Sequence, residues 1–390
     1  MSFNKFFDAP QVDSDAAKEK FIAHMDELKS MDVREQTLYQ KWYELQSTYK
    51  WAANKASVLK PKLWRPTDIM NHDLTLTELD NLRPKLRFIP PTDKKGIEDW
   101  TLNRVFAHTM QFDQNPGRFL RFVLEDEITG QLLGFSSLGS DVVSIGCRDR
   151  YIGWTSEQRL SGMLNHTSIC TTIVATQPLG YNFLGGKLMA SMMVTPLIRE
   201  TWKREYGETL VGLTTTSLYG DGSMYNSIPW WKSIGETMGK IPIKPTDDHY
   251  KVWHDIIKEK YPEKYQDLLW NKDGVVATGV KQKILNIIFT EVGVKISQYL
   301  HGFSRGVYFA PLYDNTKEYL RQEVTDGGLM PLTRDTSEDA VLTWWRKKAT
   351  NRYENLYRDN RIKPESLFYA DAMFLSWEET KAKYLGEVGR

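Results

Sequence analysis

The pattern of apolar and polar positions changes from a strand period to a helix period and back in the middle of the chain. Residues 169–176 are rich in β-branched and small side chains, as expected of a buried strand, and a similar run covers residues 209–216. Between them, apolar residues recur at steps of three and four over residues 187–206, which predicts a long helix. Gly185 and Gly186 lie in the loop before it. The pattern therefore predicts a strand, a glycine-bearing turn, a helix and a second strand.

The residues before this stretch are typical of a sheet. Residues 119–124 and 131–135 are two short apolar runs around a Thr-Gly turn, which predicts a hairpin. A third short strand is expected at 142–145, and a helix at 156–164 with Thr155 as its N-cap. This order predicts an α/β or α+β fold, with a mixed central sheet flanked by helices and helical extensions at both ends.

The predicted N-terminal extension, residues 1–112, combines helices with a proline-punctuated connector. Residues 14–50 are expected to form a hairpin of two helices, and Thr75 is expected to cap a short helix in the connector. Another helix is expected at 98–110. The core domain is then predicted at residues 113–245, and a mainly helical C-terminal region at residues 246–390.

In the C-terminal region, helices are predicted at 249–261 and 279–300, and a third at 338–362 is both basic and aromatic. Its rings are those of Trp344, Trp345, Tyr353 and Tyr357, and its cations include Arg346, Lys347, Lys348, Arg352, Arg358 and Arg361. Such a helix can place cations on phosphates and rings on unstacked bases. The alternative is an amphipathic helix that buries its tryptophans and leaves a solvated basic face.

Composition narrows the class of protein. A net charge of +1 over 390 residues excludes a globally basic nucleic-acid binder, although a local basic patch remains compatible with it. Only Cys147 and Cys170 are present, so a disulfide framework is not expected. The first residues have no apolar segment of signal-peptide length, and no run approaches the ~18 apolar residues of a spanning helix. We therefore expect a cytoplasmic protein.

The glycine-bearing turn indicates anion binding. A helix that opens on Gly185 and Gly186 exposes main-chain N–H groups, and its dipole favours negative charge there. Lys187 is suitably placed for a phosphate, whereas the alternative is that the glycines only shape a tight turn. Residues 302–306 match a nucleophile elbow, but the predicted elements around them are in the wrong order for a serine hydrolase. No zinc, Walker or EF-hand motif is present, so no metal site is expected.

The hairpin, the strand ending near Gln177 and the turn Asn182-Phe183-Leu184-Gly185-Gly186-Lys187-Leu188 resemble the Gcn5-related N-acetyltransferase (GNAT) superfamily. The resemblance implies an acyl-coenzyme A donor, with acetyl-coenzyme A as the default, bound by Asn182, Gly185, Gly186 and Lys187. Lys187 departs from the usual Gly or Ala at its position. Trp231 stands where the superfamily often has a tyrosine acid, and an indole cannot donate that proton. Tyr225 and Tyr219 are nearby substitutes, with core packing as the alternative role of either, and Tyr225 is the predicted acid.

A closer resemblance, over residues 118–240, is to the Druantia anti-phage protein A family. It rests on Leu133-Gly134-Phe135, on the segment from Arg148-Asp149 to Ile152-Gly153-Trp154, and on Gly235, Thr237 and Gly239 after Trp231. Phages also encode members of this family, and a phage-encoded member is expected in the host cytoplasm. Phage proteins with a GNAT-like fold include the Mom type, which modifies DNA adenine, and this similarity indicates a direction for the substrate.

The candidate acceptor chemistry centres on two possible bases. Asp149, between Arg148 and Arg150, could take a proton from an acceptor amine or could form a structural salt bridge. His166 is the second candidate base, or a hydrogen-bonded structural histidine.

DNA contacts are predicted for Arg148, Arg150, Arg346, Lys347, Arg352 and Arg358. The first functional hypothesis is acyl transfer from acyl-coenzyme A to an amine on a DNA base, in DNA modification or evasion of host defence. The alternative is a non-enzymatic DNA-binding protein with a degenerate acyltransferase fold. The oligomeric state stays open.

Overall fold

A computed structural model describes residues 14–32, 34–36, 38–39, 42–43, 56–104, 117–217, 223–237, 241–270, 280–301, 305–364 and 375–385. The fold of these residues is mixed α/β, which confirms the fold class predicted from the sequence. The described helices include none long and apolar enough to span a bilayer. The chain forms two compact units. One comprises Met1–Tyr43, Gly239–Phe303 and Lys381–Arg390, and the other comprises Glu44–Met238 and Ser304–Thr380.

Nine strands occur in the described residues: β1 Pro84–Ile89, β2 Phe119–Asp126, β3 Leu132–Ser140, β4 Thr167–Ala175, β5 Gly212–Ser217, β6 Lys232–Glu236, β7 Ile241–Pro242, β8 Leu300–His301 and β9 Gly306–Pro311. The larger unit holds a seven-stranded sheet in the order β1-β2-β3-β4-β5-β9-β6. All its neighbours are antiparallel except β4 and β5. β7 and β8 pair within the smaller unit. The large sheet draws strands from all three of the domains predicted from sequence, whose boundaries stay a prediction.

Fifteen helices occur in the same residues: α1 Ser14–Ser30, α2 Ala56–Leu59, α3 His72–Asn81, α4 Lys94–Asn103, α5 Gly146–Ile152, α6 Ser156–Leu160, α7 Leu179–Asn182, α8 Gly185–Met192, α9 Pro196–Tyr206, α10 Asp247–Lys260, α11 Pro262–Leu269, α12 Val280–Val292, α13 Thr316–Leu320, α14 Glu338–Arg358 and α15 Trp377–Leu385. Short 3₁₀ turns cover Lys60–Lys62, Met163–His166, Ile296–Tyr299 and Asp326–Gly328.

Several predicted elements are corrected by the structure. The connector contains β1, an edge strand that tolerates Pro84 at its first position because that N–H is not needed in the ladder. Residues 142–145 form no strand, since the Asp141 carboxylate accepts from the Val142 N–H and starts an irregular turn into α5. The long helix after Gly186 is two helices, because Pro196 begins α9 and cannot extend α8.

The helix in the connector is capped by Asn71, whose side chain accepts from the Leu74 N–H, and not by Thr75. The predicted cap at Thr155 is confirmed, with Gln158 completing a capping box. Residues 105–110 of the helix expected at 98–110, and most of the second helix of the N-terminal hairpin, lie outside the described residues.

The sheet of the larger unit is covered on two faces. Strand register places Leu138 and Cys170 on one face, which we call the α8 face because α8, α9 and α14 complete its hydrophobic core. The opposite face carries Phe135, against which Trp100 of α4 packs edge-on at 5.9 Å between ring centroids. We call it the α4 face. β4 therefore lies between two layers of helices, with the predicted glycine turn at its carboxyl end.

The smaller unit has its own core. Phe21 of α1 packs edge-on against Trp253 of α10 and Phe289 of α12, with ring centroids 6.0 and 5.7 Å away. The main-chain N–H of Thr246 donates to Nε2 of the buried His24, whose ring stacks on that of His249 at 4.0 Å. This unit carries none of the residues predicted for the donor site.

Candidate functional site

The site predicted from sequence lies where β4 and β5 stop pairing. These two strands form parallel pairs over three residues, from Thr167↔Gly212 to Ile169↔Thr214. At the next position the Thr215 hydroxyl donates to the Cys170 carbonyl at 3.2 Å, so a side chain replaces the ladder bond. Both strands continue beyond this point without pairing to each other. An open sheet binds ligands most often at the carboxyl ends of parallel strands, where the pairing changes.

The turn between β4 and α8 has a strained backbone. Leu184 adopts a left-handed conformation, with φ 53° and ψ 39°, immediately before the right-handed residues of α8. A non-glycine residue held in this region costs about 1–3 kcal/mol, and such strain is common at ligand-binding sites. Successive N–H groups in mixed-handed backbone form a concave nest for anions. The N–H groups of Leu184, Gly185 and Gly186 are placed to form one.

The two glycines of this turn differ in what requires them. A Cβ on Gly185 would lie 2.7 Å from Ala175 Cβ and 3.1 Å from the Gly180 nitrogen, so the close approach of α8 to β4 excludes a side chain. Among the described residues, a Cβ on Gly186 would meet only the Met224 side chain, whose sulfur lies at 2.8 Å. Packing explains Gly185, whereas Gly186 faces a flexible side chain that can move.

The Lys187 ammonium, predicted to bind phosphate, holds a neighbouring turn together. Its Nζ donates to the carbonyls of Met224, at 2.9 Å, and Asn226, and to the Ser227 hydroxyl at 3.3 Å. Burial, and next the charge of Lys348, lower the pKa of Lys187. The cation is thus bound by neutral oxygens beside the nest.

Asn182, predicted to contact the donor, is fully buried and has both ends of its amide engaged. Its nitrogen donates to the carbonyls of Pro178, at 3.2 Å, and Lys363, at 2.8 Å, and its oxygen accepts from the Lys363 N–H at 3.0 Å. These bonds anchor the segment after α14 beside the glycine turn. In this structure Asn182 therefore positions the turn.

Tyr225 lies where β4 and β5 stop pairing, whereas Tyr219 lies outside the described residues. Its hydroxyl is 3.3 Å from the Thr215 hydroxyl, and its ring lies between those of Trp231 and Tyr308, with centroids 5.3 and 5.0 Å away. It is 5% exposed, and burial raises the pKa of its phenol. Trp231 donates its indole N–H to the Ala190 carbonyl at 2.8 Å, which ties this segment to α8. Tyr225 is therefore neutral, buried and next to the end of the parallel ladder.

Asp149, a predicted base, belongs to a buried ion network. Its Oδ1 accepts from Nη2 and Nε of Arg148, at 2.7 and 3.0 Å, and its Oδ2 accepts from Nη1 of Arg159 at 2.6 Å. Nη1 of Arg148 lies 2.8 Å from Asp141, whose other oxygen accepts from the Thr214 hydroxyl on β5 at 3.1 Å. Two cations and two anions balance, and the network ties α5 and α6 to β5.

The same segment ends α5. The Asp149 carbonyl accepts from the N–H groups of Gly153 and Trp154, and Gly153 has a positive φ of 82° that favours glycine. The Trp154 indole then donates to the Leu320 carbonyl at 2.6 Å. Hence the Arg-Asp-x-x-Ile-Gly-Trp string has a structural account that uses the Arg148 guanidinium, the Asp149 carboxylate and the Trp154 indole. Arg148 has no exposed side-chain surface, whereas Arg150 is exposed.

His166, the other predicted base, immediately precedes β4. Its Nδ1 lies 2.8 Å from the Thr209 carbonyl, which can only accept, so the ring carries its proton on Nδ1 and Nε2 is the basic nitrogen. The Tyr319 hydroxyl lies 3.2 Å from the same Nδ1 and donates to Asp326 at 2.6 Å. His166 is at the opposite end of β4 from Gly185, so the structure does not bring it to the glycine turn.

The helix α14 divides its cations between two flanks. Trp345 is buried and donates its indole N–H to the Phe183 carbonyl at 2.9 Å. Arg346 donates to the Leu82 carbonyl on one flank. On the other flank Arg352 lies over the Tyr181 ring at 5.1 Å, on the side of the glycine turn. Lys347 and Arg358 are exposed. No cluster of metal-ligating side chains is found in the described residues.

Sequence reasoning gave no role in the site to four residues that the structure places near the predicted site residues or on the sheet. Asp141 and Arg159 complete the network around Arg148, and Lys348 lies near enough to Lys187 to lower its pKa. Arg121 lies on the α4 face of β2 with two rings beside it. Lys348 was visible as one of the cations of the basic helix, and Arg121 as a charge inside an otherwise apolar strand run.

Comparison with known proteins assigns the chain to a family. The family model described as Druantia protein DruA matches residues 28–322. A relative of the same description, the Druantia protein DruA of Escherichia coli (strain UMEA 4076-1), is 25% identical over 286 residues, which cover 68% of this chain and 68% of the relative. No solved structure matches the chain significantly. The match spans the sheet from β1 to β9 and the whole network around Arg148. The chain belongs to the Druantia protein DruA family.

Proposed function

We propose that this protein is an acyl-coenzyme A-dependent N-acyltransferase of anti-phage or phage biology, which acylates an amine on a DNA base. One observation carries the proposal: β4 and β5 stop pairing after three residues, and the strained Leu184 nest lies at the carboxyl end of β4. A parallel pair that opens beside a helix N-terminus supports a ligand bound between the strands with its phosphates on the helix.

The order of elements also supports the proposal. A meander from β1 to β4 is followed by a crossover through α8 and α9 to the parallel strand β5, and β9 then lies between β5 and β6. This order agrees with the GNAT resemblance drawn from the hairpin and the glycine turn. The DruA family membership supports the anti-phage setting.

The residues at the turn fit an anionic donor. The N–H groups of Leu184, Gly185 and Gly186 would hold its diphosphate, and the Lys348 and Arg352 cations lie on the nearby flank of α14. Acyl-coenzyme A supplies a thioester whose acyl group can pass to an amine. Tyr225 is neutral because burial raises its pKa, so it can hold a proton beside the end of the ladder.

The two predicted bases give weaker support for the acceptor half of the reaction. Asp149 has both carboxylate oxygens bound by guanidinium groups, so its proposed role is to position α5 beside β5. His166 keeps Nε2 as a basic nitrogen but lies at the far end of β4. We propose that the acceptor reaches the sheet from the α4 face, where Asp149 and Thr214 lie.

A second candidate function is a DNA-binding protein that keeps this fold without binding a donor. It is favoured by the Lys187 ammonium, which three neutral oxygens already occupy, and by Tyr225, which fills the space beside Thr215. Lys347 and Arg358, exposed on α14, would contact DNA phosphates in either case.

Calorimetric titration with acetyl-coenzyme A and free coenzyme A tests the donor site. Wild-type protein should bind both at micromolar strength, and Gly186→Glu should abolish binding because a carboxylate would lie at the nest. Gly327→Glu is the matched control, since nothing lies within 4 Å of a Cβ at Gly327. If wild-type protein binds neither compound, the acyltransferase proposal is refuted and the DNA-binding function takes its place.

DNA binding is tested separately. Lys347→Glu together with Arg358→Glu should weaken binding of duplex DNA and flatten its salt dependence, since two phosphate contacts are lost. The exposed pair Arg334→Glu with Lys251→Glu, on other elements, controls for net charge. An equal loss of DNA affinity in both double variants would show that overall charge, and not the position of the cations on α14, determines binding.

A further inference from the structure

Arg121 is a cation on the sheet surface for which the described residues supply no ion-pair or hydrogen-bond partner. It lies on the α4 face of β2, and its side chain is half-buried. Its guanidinium lies 4.6 Å from the Phe119 ring centroid and 5.5 Å from that of Trp100, and its Nε is buried with no hydrogen-bond acceptor. Burial alone lowers the pKa of Arg121. Among the described residues, no carboxylate or carbonyl accepts from it.

Hydroxyl groups of the next two strands, β3 and β4, form a row with Arg121 across the sheet. Arg121 pairs directly with Ser137 of β3, and Ser137 pairs with Thr172 of β4, so the three side chains lie on the same face. The Ser137 and Thr171 hydroxyls are 2.6 Å apart. Thr172 is 2% exposed, and its buried hydroxyl has no hydrogen-bond partner in the part of the chain that the structure describes. Directly opposed residues place their Cβ atoms about 5 Å apart. A guanidinium and three hydroxyls thus cross three strands together.

This row has the chemistry of a phosphate site. A guanidinium offers five N–H donors in a planar fork that matches phosphate oxygens, and hydroxyls add further donors. An unpaired cation and an unpaired buried hydroxyl each cost free energy, which a bound anion would offset. No acidic side chain belongs to the row. We propose that Arg121, Ser137, Thr171 and Thr172 bind a phosphate group.

The source of the phosphate follows from the location, and this step rests on the proposed function. The site is on the α4 face, whereas the glycine turn opens α8 on the opposite face. A phosphate bound here would therefore belong to the acceptor, not to the donor. The proposed function makes the acceptor a DNA strand, so the class of ligand is a nucleic-acid phosphodiester or terminal phosphate.

A purely structural role and an anion-binding role for Arg121 predict opposite effects of Arg121→Met on stability. If its stacking on Trp100 and Phe119 were its role, Arg121→Met should lower Tm, whatever anion is present. If Arg121 is an anion ligand, Arg121→Met keeps the apolar stem and removes a desolvated charge. Tm without anion should then be unchanged or higher.

The experiment is a titration of the full chain with inorganic phosphate and with a short single-stranded oligonucleotide, followed by calorimetry and thermal unfolding. Wild-type protein should bind both, and its Tm should rise with ligand concentration. Arg121→Met should weaken both affinities at least tenfold, and Thr172→Val should weaken them several-fold. Arg121→Lys should recover part of the affinity. Arg87→Met on β1, an exposed arginine paired with Glu125, is the matched control and should bind normally.

The outcomes separate this site from the donor site. Acetyl-coenzyme A affinity should not change in Arg121→Met. If coenzyme A fails to bind wild-type protein while Arg121 still controls phosphate affinity, the anion site stands and the acyltransferase proposal falls. Phosphate binding without oligonucleotide binding would support the anion site and overturn its assignment to DNA. Equal affinities in wild-type and Arg121→Met, or no phosphate binding at all, would overturn the site itself.

Discussion

Arg148 was predicted from sequence to contact DNA, and the structure gives a different expectation for its loss. Its guanidinium makes short contacts to Asp141 and Asp149 and donates to the Val142 carbonyl at 2.9 Å. None of its side chain is exposed. Arg148→Met keeps most of the volume and removes the charge. We therefore expect this variant to lose stability and to keep its DNA affinity per folded molecule.

The magnitude follows from what remains after the substitution. Asp149 keeps Arg159, but Asp141 keeps only the Thr214 hydroxyl and the Val142 N–H. Removing one partner of a buried ion pair costs about 3–5 kcal/mol, because the other charge stays buried. Since Asp149 retains a cation, we expect about 3 kcal/mol. For a unit of about 270 residues, with an unfolding entropy of about 2.1 cal/mol/K per residue, that loss lowers Tm by roughly 5 °C.

The assay is thermal and urea unfolding of wild-type protein, Arg148→Met and the control Arg150→Met. Arg150 is an exposed arginine on the same helix, and its loss should change Tm by little more than 1 °C. Adding Asp141→Asn to Arg148→Met should recover part of the loss, since the unpaired charge is removed. An Arg148→Met protein with wild-type Tm and weaker DNA binding would refute this reasoning and restore the sequence prediction.

The other expected outcomes concern the glycine turn and the smaller unit. Gly185→Ala should cost about 1–3 kcal/mol in urea unfolding because a methyl group meets fixed atoms, whereas Gly186→Ala should cost less because it meets a flexible methionine. Asn182→Ala should lower Tm and increase proteolysis after α14, since it releases that segment. Burial lowers the pKa of His24 to about 4, and the Thr246 N–H donates to its Nε2, so the neutral ring is the stable form. Stability from this group should be complete above about pH 6.5 and lost as pH falls towards 4, and His24→Asn should flatten that dependence in a pH series of urea unfolding.

Hydrophobic period was enough to predict the elements around β4. The runs at 169–176 and 209–216 predicted β4 and β5, because both strands are buried and nearly continuous in apolar and β-branched residues. β1 was missed because it is an edge strand that begins with a proline and in which Lys85 and Arg87 alternate with apolar residues. The break between α8 and α9 was also missed, although Pro196 was visible in the sequence.

The position of the candidate site in the fold could be predicted from the sequence, but the contacts of its residues could not. Glycines before a helix indicate an anion site from local sequence alone, and the turn lies where expected at the end of β4. The sequence left Asp149 open between a base and a salt bridge. The partners Arg159 of Asp149 and Asn226 of Lys187 could not be predicted, because they lie on other elements. Arg121 could be recognised only after strand register placed it beside Ser137 and Thr172.

The bonds of Lys187 bear on how a donor would bind. Its ammonium gives three hydrogen bonds to neutral oxygens of residues 224–227. A diphosphate on the adjacent nest would offer charged acceptors, and charge-assisted hydrogen bonds are about twice as strong as neutral ones. Exchange of Lys187 from the turn to the ligand is therefore favourable if the released carbonyls can reach water. That exchange would free the segment that carries Met224 and Tyr225, the two side chains that lie over Gly186 and beside Thr215. Donor binding would then be coupled to opening of the space between β4 and β5.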